Sequence, residues 1–164
     1  MTYRTGLFFS LLILSACSMS VETEDDDASS MQPEAPVTAR PFKMATNLRQ
    51  TMEWVLDPAA DLIWDSAGAI ITAAGTEELA PTTDAGWENV RNNAAIVAQS
   101  GNLLMLPGIS LGENDWMELS AGLVDAGILA LKAAEAQDSD ALFKAGGQIY
   151  NVCRACHQQY INGE

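Results

Sequence analysis

Apolar residues recur at steps of three and four along four stretches of this chain, and this helical periodicity limits the fold most strongly. The first stretch, beginning at Pro41, places on one face Met44, Leu48, Met52, Val55, Ala59, Leu62, Ser66 and Ala69. The second carries Trp87, Val90, Ala94, Val97, Gly101 and Leu104. The third carries Trp116, Leu119, Leu123, Ala126, Ala130 and Ala133. The fourth, starting at Asp138 or Ser139, carries Leu142, Gly146, Ile149, Cys153, Cys156 and Tyr160.

Four amphipathic segments with short connections predict an all-α fold, an antiparallel four-helix bundle. Asp57-Pro58 interrupts the first segment, and we expect a kink or a helix restart there because proline has no backbone N–H. A turn region is predicted over residues 75–83. The second helix is expected to end near Pro107-Gly108, and Asn114 is the expected N-cap of the third. No strand pattern or glycine-rich phosphate loop appears.

Composition and charge narrow the class of protein. The 164 residues suggest one domain, and a hydrophobic content of 48% is ample for a core. The net charge of −14 argues against nucleic acid as a partner, because phosphate binding needs a basic surface. An acidic surface instead favours encounter with a basic partner.

The N-terminus has the features of an export signal. Arg4 precedes an apolar stretch over residues 7–14 that is too short to span a bilayer. Residues 14–17, Leu-Ser-Ala-Cys, resemble the lipobox of bacterial lipoproteins, in which Cys17 would become the lipidated first residue. Ser18 does not signal inner-membrane retention in such proteins and favours the outer membrane. The alternative is an ordinary secretory signal that happens to contain a cysteine.

The predicted organisation therefore has three parts. Residues 1–16 form a lipoprotein signal peptide, and residues 17–40 form a lipid-bearing, disordered acidic tether. Residues 41–164 form the helical domain. Acidic, Ser- and Pro-containing sequence without apolar periodicity is typical of disorder. The domain would face the oxidising periplasm on a lipid anchor.

Cys153-Arg154-Ala155-Cys156-His157 is a C-x-x-C-H motif, which indicates covalent attachment of c-type haem. Two cysteines three residues apart lie at neighbouring helical positions, so both thiols can reach the vinyl groups of one porphyrin. His157 then presents an imidazole nitrogen to the iron as the axial ligand.

Three other interpretations of the motif compete. A structural zinc site needs four ligands, but the chain has one other cysteine, Cys17, and His157 is its only histidine. A thioredoxin-type redox pair belongs near a βαβ pattern, which is absent. A simple Cys153–Cys156 disulfide in an exported protein stays open.

The motif lies in the last predicted helix, and this position, with the helical pattern before it, resembles the cytochrome c′ family. The resemblance covers roughly residues 42–161 and is strongest over residues 141–152, leading into the motif and Gln158-Gln159-Tyr160. It implies one covalent haem c in a four-helix bundle. Arg49-Gln50 resembles the family's Arg-Gln near the distal pocket, which implies that Arg49 contacts a haem propionate. Many family members pair as dimers through their first two helices, so a homodimer is one oligomeric state the resemblance allows.

The chain also departs from the family pattern. Members often carry an arginine four residues after the haem histidine, whereas this chain has Ile161 there. The Asp57-Pro58 pair and the residues that follow it are not typical of the best-known members either. We therefore expect a divergent branch.

The sixth position of the iron is the open question. Up-down topology predicts that the pocket is lined by Met44, Leu48, Met52, Leu104, Met105, Trp116 and Met117. In the family, an apolar residue of the first helix can block the sixth position, or a methionine can occupy it. Met52, three residues after Arg49, is the candidate ligand, and Met44 is the other first-helix option. Core filling is the alternative role of these methionines.

The first functional hypothesis is a periplasmic cytochrome that transfers single electrons to redox partners the sequence does not identify. The second is a five-coordinate haem protein that binds nitric oxide or carbon monoxide. The third is a non-haem structural lipoprotein with a Cys153–Cys156 disulfide. An enzyme is the least expected, because no distal histidine or paired carboxylates appear.

Overall fold

The structure, a computed structural model, describes residues 42–161, which belong to one compact unit and are mostly helical. The predicted signal peptide, the Cys17 lipobox and the acidic tether lie outside the described residues, as do residues 41 and 162–164. The elements in chain order are α1 (Leu48–Thr51), a π-helical turn (Met52–Leu56), α2 (Asp57–Asp65), β1 (Ala69–Thr72), β2 (Gly75–Glu78), α3 (Asp84–Leu104), α4 (Asn114–Ala136) and α5 (Ser139–Tyr160).

The first helical segment, residues 48–65, begins later than predicted. Asn47 caps it: its side chain accepts a hydrogen bond from the Gln50 N–H, and the Gln50 side chain accepts one from the Asn47 N–H. This reciprocal capping box satisfies two backbone donors that a helix start otherwise leaves unpaired. Gln50 therefore has a local structural role.

The chain stays helical through the predicted interruption at Pro58. The Asp57 N–H donates to the Met52 carbonyl, five residues back instead of four, so the preceding turn is π-helical. In a regular α-helix the proline ring would collide with the carbonyl four residues before it. The wider turn accommodates Pro58 without a restart of the helix.

The π turn also shifts the buried face of the first segment by one residue. Leu56 and Ile63 are 4% and 0% exposed, whereas Val55 and Leu62, which were predicted to face the core, are only half-buried. A π turn holds an additional residue, so each later residue is rotated relative to the α-helical pattern. Beyond the turn, Ala59 is buried as predicted and the half-buried Leu62 packs against the core, whereas Ala69 is exposed, so the predicted face is confirmed only in part.

A β-hairpin follows, which the sequence analysis did not predict. β1 and β2 pair antiparallel, with Ala69 opposite Glu78 and Thr72 opposite Gly75. All eight strand residues are exposed. Because neither strand has a buried face, the sequence shows no alternation of apolar and polar residues from which a strand could be predicted. The expectation of a chain without strands is wrong here, although most of the described chain is helical.

The predicted faces of the three long helices largely agree with the structure. All six predicted positions of α3 are buried, and five of the six in α4 are, Leu119 being half-buried. α5 begins as predicted, with the Asp138 side chain accepting from the Ala141 N–H. One cap is wrong: Glu113 precedes α4, and Asn114 is its first residue.

Side-chain contacts define how the long helices lie against each other. The Trp116 Nε1 donates to the Leu104 carbonyl at 2.8 Å, and the Gln137 Nε2 donates to the Asp84 carboxylate at 3.0 Å. The end of α3 therefore lies beside the start of α4, and the start of α3 lies beside the end of α4, so these two helices run in opposite directions.

The same reversal relates α4 to α5. The Gln159 Nε2 donates to the Asp115 carboxylate at 3.0 Å, and a Cβ at Gly122 would lie 3.7 Å from Val152. α2 meets α5 through the Trp64 Nε1, which donates to the Gly146 carbonyl at 3.0 Å. Among residues 42–161, no helix combines the length and apolar character needed to cross a membrane.

Candidate functional site

A cavity of about 580 Å³ is lined by residues of the helical segment 48–65, the end of α3, α4 and α5. Much of its wall is apolar, formed by Met52, Leu56, Ala60, Leu104, Leu119 and Leu123. Polar groups also line it, and they include Asp57, Cys153, Arg154, Cys156 and His157. A concave, largely apolar site with a few polar groups is typical of a site for a small molecule or cofactor.

The last turns of α5 bring the C-x-x-C-H residues to this cavity. α5 is continuous from Ser139 to Tyr160, so Cys153, Cys156 and His157 occupy helical positions i, i+3 and i+4. Residues at this spacing lie on one helix face. All three are half-buried and line the cavity, and Cys153 and Cys156 belong to the predicted stripe along α5.

The two cysteines are free thiols in the structure. Burial raises the pKa of Cys153 to about 11, with smaller contributions from the charges of Asp57 and Cys156. Burial also raises the pKa of Cys156. Redox-active C-x-x-C pairs work through a thiol whose pKa is lowered, so this environment disfavours thiolate chemistry.

Ligands for a bare metal ion are too few at this site. Within the described part of the chain, no group of three or more His, Cys, Asp and Glu side chains is arranged to hold a metal. A structural zinc site is almost always four-coordinate. The two thiols and the single imidazole therefore do not form a complete ligand set for one metal ion.

Met52 belongs to the π turn and lines the cavity from the helical segment 48–65. It is half-buried and lies on the same cavity wall as Leu56 and Ala60. Its thioether and the His157 imidazole border the same space. π turns are frequent at functional sites, because they change which side chains face a ligand.

Arg49 lines a second cavity, of about 540 Å³, that also borders His157 and Met52. Its side chain is 83% exposed, and its Nη1 lies 3.1 Å from the Glu53 carboxylate, one helical turn away. Such an exposed ion pair is weak, so it leaves Arg49 able to exchange its partner.

The structure brings together only some of the predicted pocket residues. Met52 and Leu104 line the first cavity, and Leu48 and Trp116 line the second. Three methionines line neither, namely Met44, Met105 and Met117. Met44 packs against the core, while Met117 is 38% exposed and its sulfur accepts from the Ser110 hydroxyl at 3.7 Å.

Several lining residues were missed by the sequence analysis, among them Asp57, Trp64 and Tyr150. Trp64 lies edge-to-face on Tyr150, with ring centroids 6.4 Å apart. The sequence did contain a signal for this wall. Met52, Leu56 and Trp64 are separated by multiples of four residues, and after the π turn this spacing puts them on the side of the segment that lines the cavity. The α-helical period assigned to this segment concealed it.

Partial burial raises the pKa of Asp57, and the carboxylates of Asp61 and Glu53 add to this effect, while the charge of His157 opposes it. Asp57 also lines both cavities that border His157.

The end of α5 is attached to the start of α4. The Tyr160 hydroxyl donates to Glu113 at 3.1 Å, and its ring packs edge-to-face on Trp116 at 5.1 Å. Ile161, where the resembling family often has arginine, is 61% exposed and lines the second cavity.

No family model, curated protein or solved structure matches the chain.

Proposed function

We propose that this protein is a c-type cytochrome of the cytochrome c′ type that transfers single electrons in the periplasm. Cys153 and Cys156 would hold one haem covalently, and His157 would be its axial ligand. The observation that carries the proposal is that the two thiols and the imidazole line one largely apolar cavity of about 580 Å³. A bound haem would supply an iron centre that accepts and releases one electron.

The residues present suit that group. Neutral thiols beside the cavity suit attachment to vinyl carbons better than metal binding, which requires thiolates. The leucine and alanine side chains of the wall would shield a bound haem from water. Arg49, at the second cavity, is the candidate partner of a propionate.

An antiparallel four-helix bundle is the proposed architecture. The reversed contacts between α3 and α4 and between α4 and α5 support it. The segment 48–65, which touches α3 and α5, would be the first helix of the bundle. The lipid anchor at Cys17 and the outer-membrane location belong to the proposal on the sequence pattern alone.

Met52 is the proposed sixth ligand. It borders the same cavity as His157 from another helix, and Met/His ligation raises the reduction potential, which suits electron transfer. Leu56, buried on the same wall, favours a second candidate function. If Leu56 covers the iron instead, the haem would be five-coordinate and would bind nitric oxide or carbon monoxide.

The first test is expression of the full chain with a cytochrome c maturation system. Haem should remain on the polypeptide after denaturation, and Cys153→Ser combined with Cys156→Ser should abolish its retention. A wild-type protein without haem, whose cysteines are intact or joined in a disulfide, would refute the proposal and favour the structural lipoprotein.

The second test addresses the sixth position through optical spectra recorded with and without carbon monoxide. We expect the reduced wild type to be six-coordinate and unaffected by carbon monoxide. Met52→Leu should become sensitive to it, whereas Met44→Leu, the matched control in the same region, should not. A wild-type spectrum that carbon monoxide already shifts would instead support gas binding.

A further inference from the structure

Asp57 differs from the other carboxylates of the helical segment 48–65. Glu53, Asp57, Asp61 and Asp65 follow one another at steps of four. Within residues 42–161, Asp57 is the only acidic residue lining the first cavity, and it lines the second as well. Asp61 lines neither of these cavities.

Pairing with a basic side chain does not account for a carboxylate at position 57. Like charges four residues apart destabilise a helix, and Asp57 has one such neighbour on each side, Glu53 and Asp61. Glu53 is paired with Arg49, but neither salt bridge of the described chain involves Asp57. Its position on the cavity wall is what distinguishes it.

The charge of Asp57 reaches the attachment site. Asp57 lines the first cavity together with Cys153 and His157, and its charge contributes to the raised pKa of Cys153. Leu56 and Ala60, which line the same wall, are apolar and 4% and 2% exposed. Asp57 itself is exposed, so solvent screens its charge in part, but the apolar wall beside it keeps that screening below the screening in bulk water.

We propose that Asp57 lowers the reduction potential of the haem held at Cys153, Cys156 and His157 by placing a fixed negative charge on the wall beside it. This inference rests on the proposed function. Reduction adds one electron to ferric iron to give ferrous iron, and an electrode supplies that electron. No bond breaks. A neighbouring negative charge favours the more positive ferric state.

The experiment is a spectroelectrochemical titration of the full haem-loaded chain at one pH and one ionic strength. We expect Asp57→Asn to raise the ferrous-to-ferric ratio at a given electrode potential by about tenfold, equivalent to about 59 mV for one electron. Asp61→Asn, one helical turn further along, should change the ratio much less. Asp57→Glu should restore most of the wild-type value.

The outcomes separate the two proposals. Wild-type protein without covalent haem overturns both. The role of Asp57 alone is overturned if haem-loaded Asp57→Asn keeps the wild-type reduction potential. It is also overturned if the reduction potential of Asp57→Asn shifts no more than that of Asp61→Asn. An altered optical spectrum in Asp57→Asn also overturns the electrostatic role, because it would show a change of ligation. An unaltered spectrum with the expected shift supports it.

Discussion

The α3–α4 interface and the cavity beside His157 are opposite cases of packing in one small domain. At the interface, a Cβ on Gly127 would lie 2.6 Å from the Ala98 backbone nitrogen, and one on Gly101 would lie 2.6 Å from the Ser120 carbonyl oxygen. Beside His157, the helices leave a cavity of about 580 Å³. Close contact between α3 and α4 thus stabilises one part of the helical domain, whereas an open site lies beside α5.

The difference shows where the chain uses small residues to stabilise itself. Gly101 and Gly127 allow two backbones to approach closely, which increases dispersion contacts along both helices. Ala60, also small, instead contributes to the cavity wall. Small side chains therefore produce tight packing in one region and space in the other.

The largest effect on stability is expected from Gly127→Ala. Its Cβ would meet the backbone of Ala98, which cannot move aside as a flexible side chain could, so we expect a loss of about 3 kcal/mol. Urea denaturation measures it. Gly147→Ala is the control, because nothing lies within 4 Å of its Cβ, and it should stabilise α5 by up to about 1 kcal/mol. Equal effects at the two positions would contradict the tight interface.

Two indole hydrogen bonds, one buried and one partly buried, give the next comparison. Trp116, 2% exposed, donates to the Leu104 carbonyl, and the half-buried Trp64 donates to the Gly146 carbonyl. Replacement by phenylalanine leaves the Leu104 carbonyl at the end of α3 without this donor, whereas the Gly146 carbonyl lies inside α5 and keeps its helical hydrogen bond. We expect losses of about 2 kcal/mol for Trp116→Phe and about 1 kcal/mol for Trp64→Phe in chemical denaturation. A larger loss at Trp64 would mean that the cavity side is the better packed.

Added volume at the cavity should be tolerated. Leu119→Phe enlarges a half-buried side chain on the cavity wall, so the free energy of unfolding without haem should change by less than about 1 kcal/mol. The fraction of protein carrying covalent haem should fall, because the added ring occupies the same space. A large destabilisation without haem would show that this region is filled.

The smallest effect is expected from Arg49→Gln. Its exposed ion pair with Glu53 should contribute less than about 0.5 kcal/mol to stability without haem. Arg91→Gln, which removes a comparable surface pair with Glu88, is the matched control. In haem-loaded protein, a greater loss for Arg49→Gln than for Arg91→Gln would support a propionate contact, and equal losses would argue against one.

Much of the fold could be predicted because helical periodicity is local. The buried faces of α3 and α4 and the start of α5 follow from the spacing of apolar residues and from Asp138 as a cap. The hairpin could not be predicted in this way, because its exposed strands have no buried face to produce a pattern. The candidate site was predictable on α5 and less so on the segment 48–65.

The sequence alone determined that Cys153, Cys156 and His157 share one helix face, since positions i, i+3 and i+4 meet in any α-helix. It did not determine what lies opposite them. The sequence predicted Met52 at the pocket, but only the tertiary structure decided that Asp57 and Trp64 also border it. The physical reason is the π turn before Pro58, which adds a residue to one turn and rotates the side chains that follow.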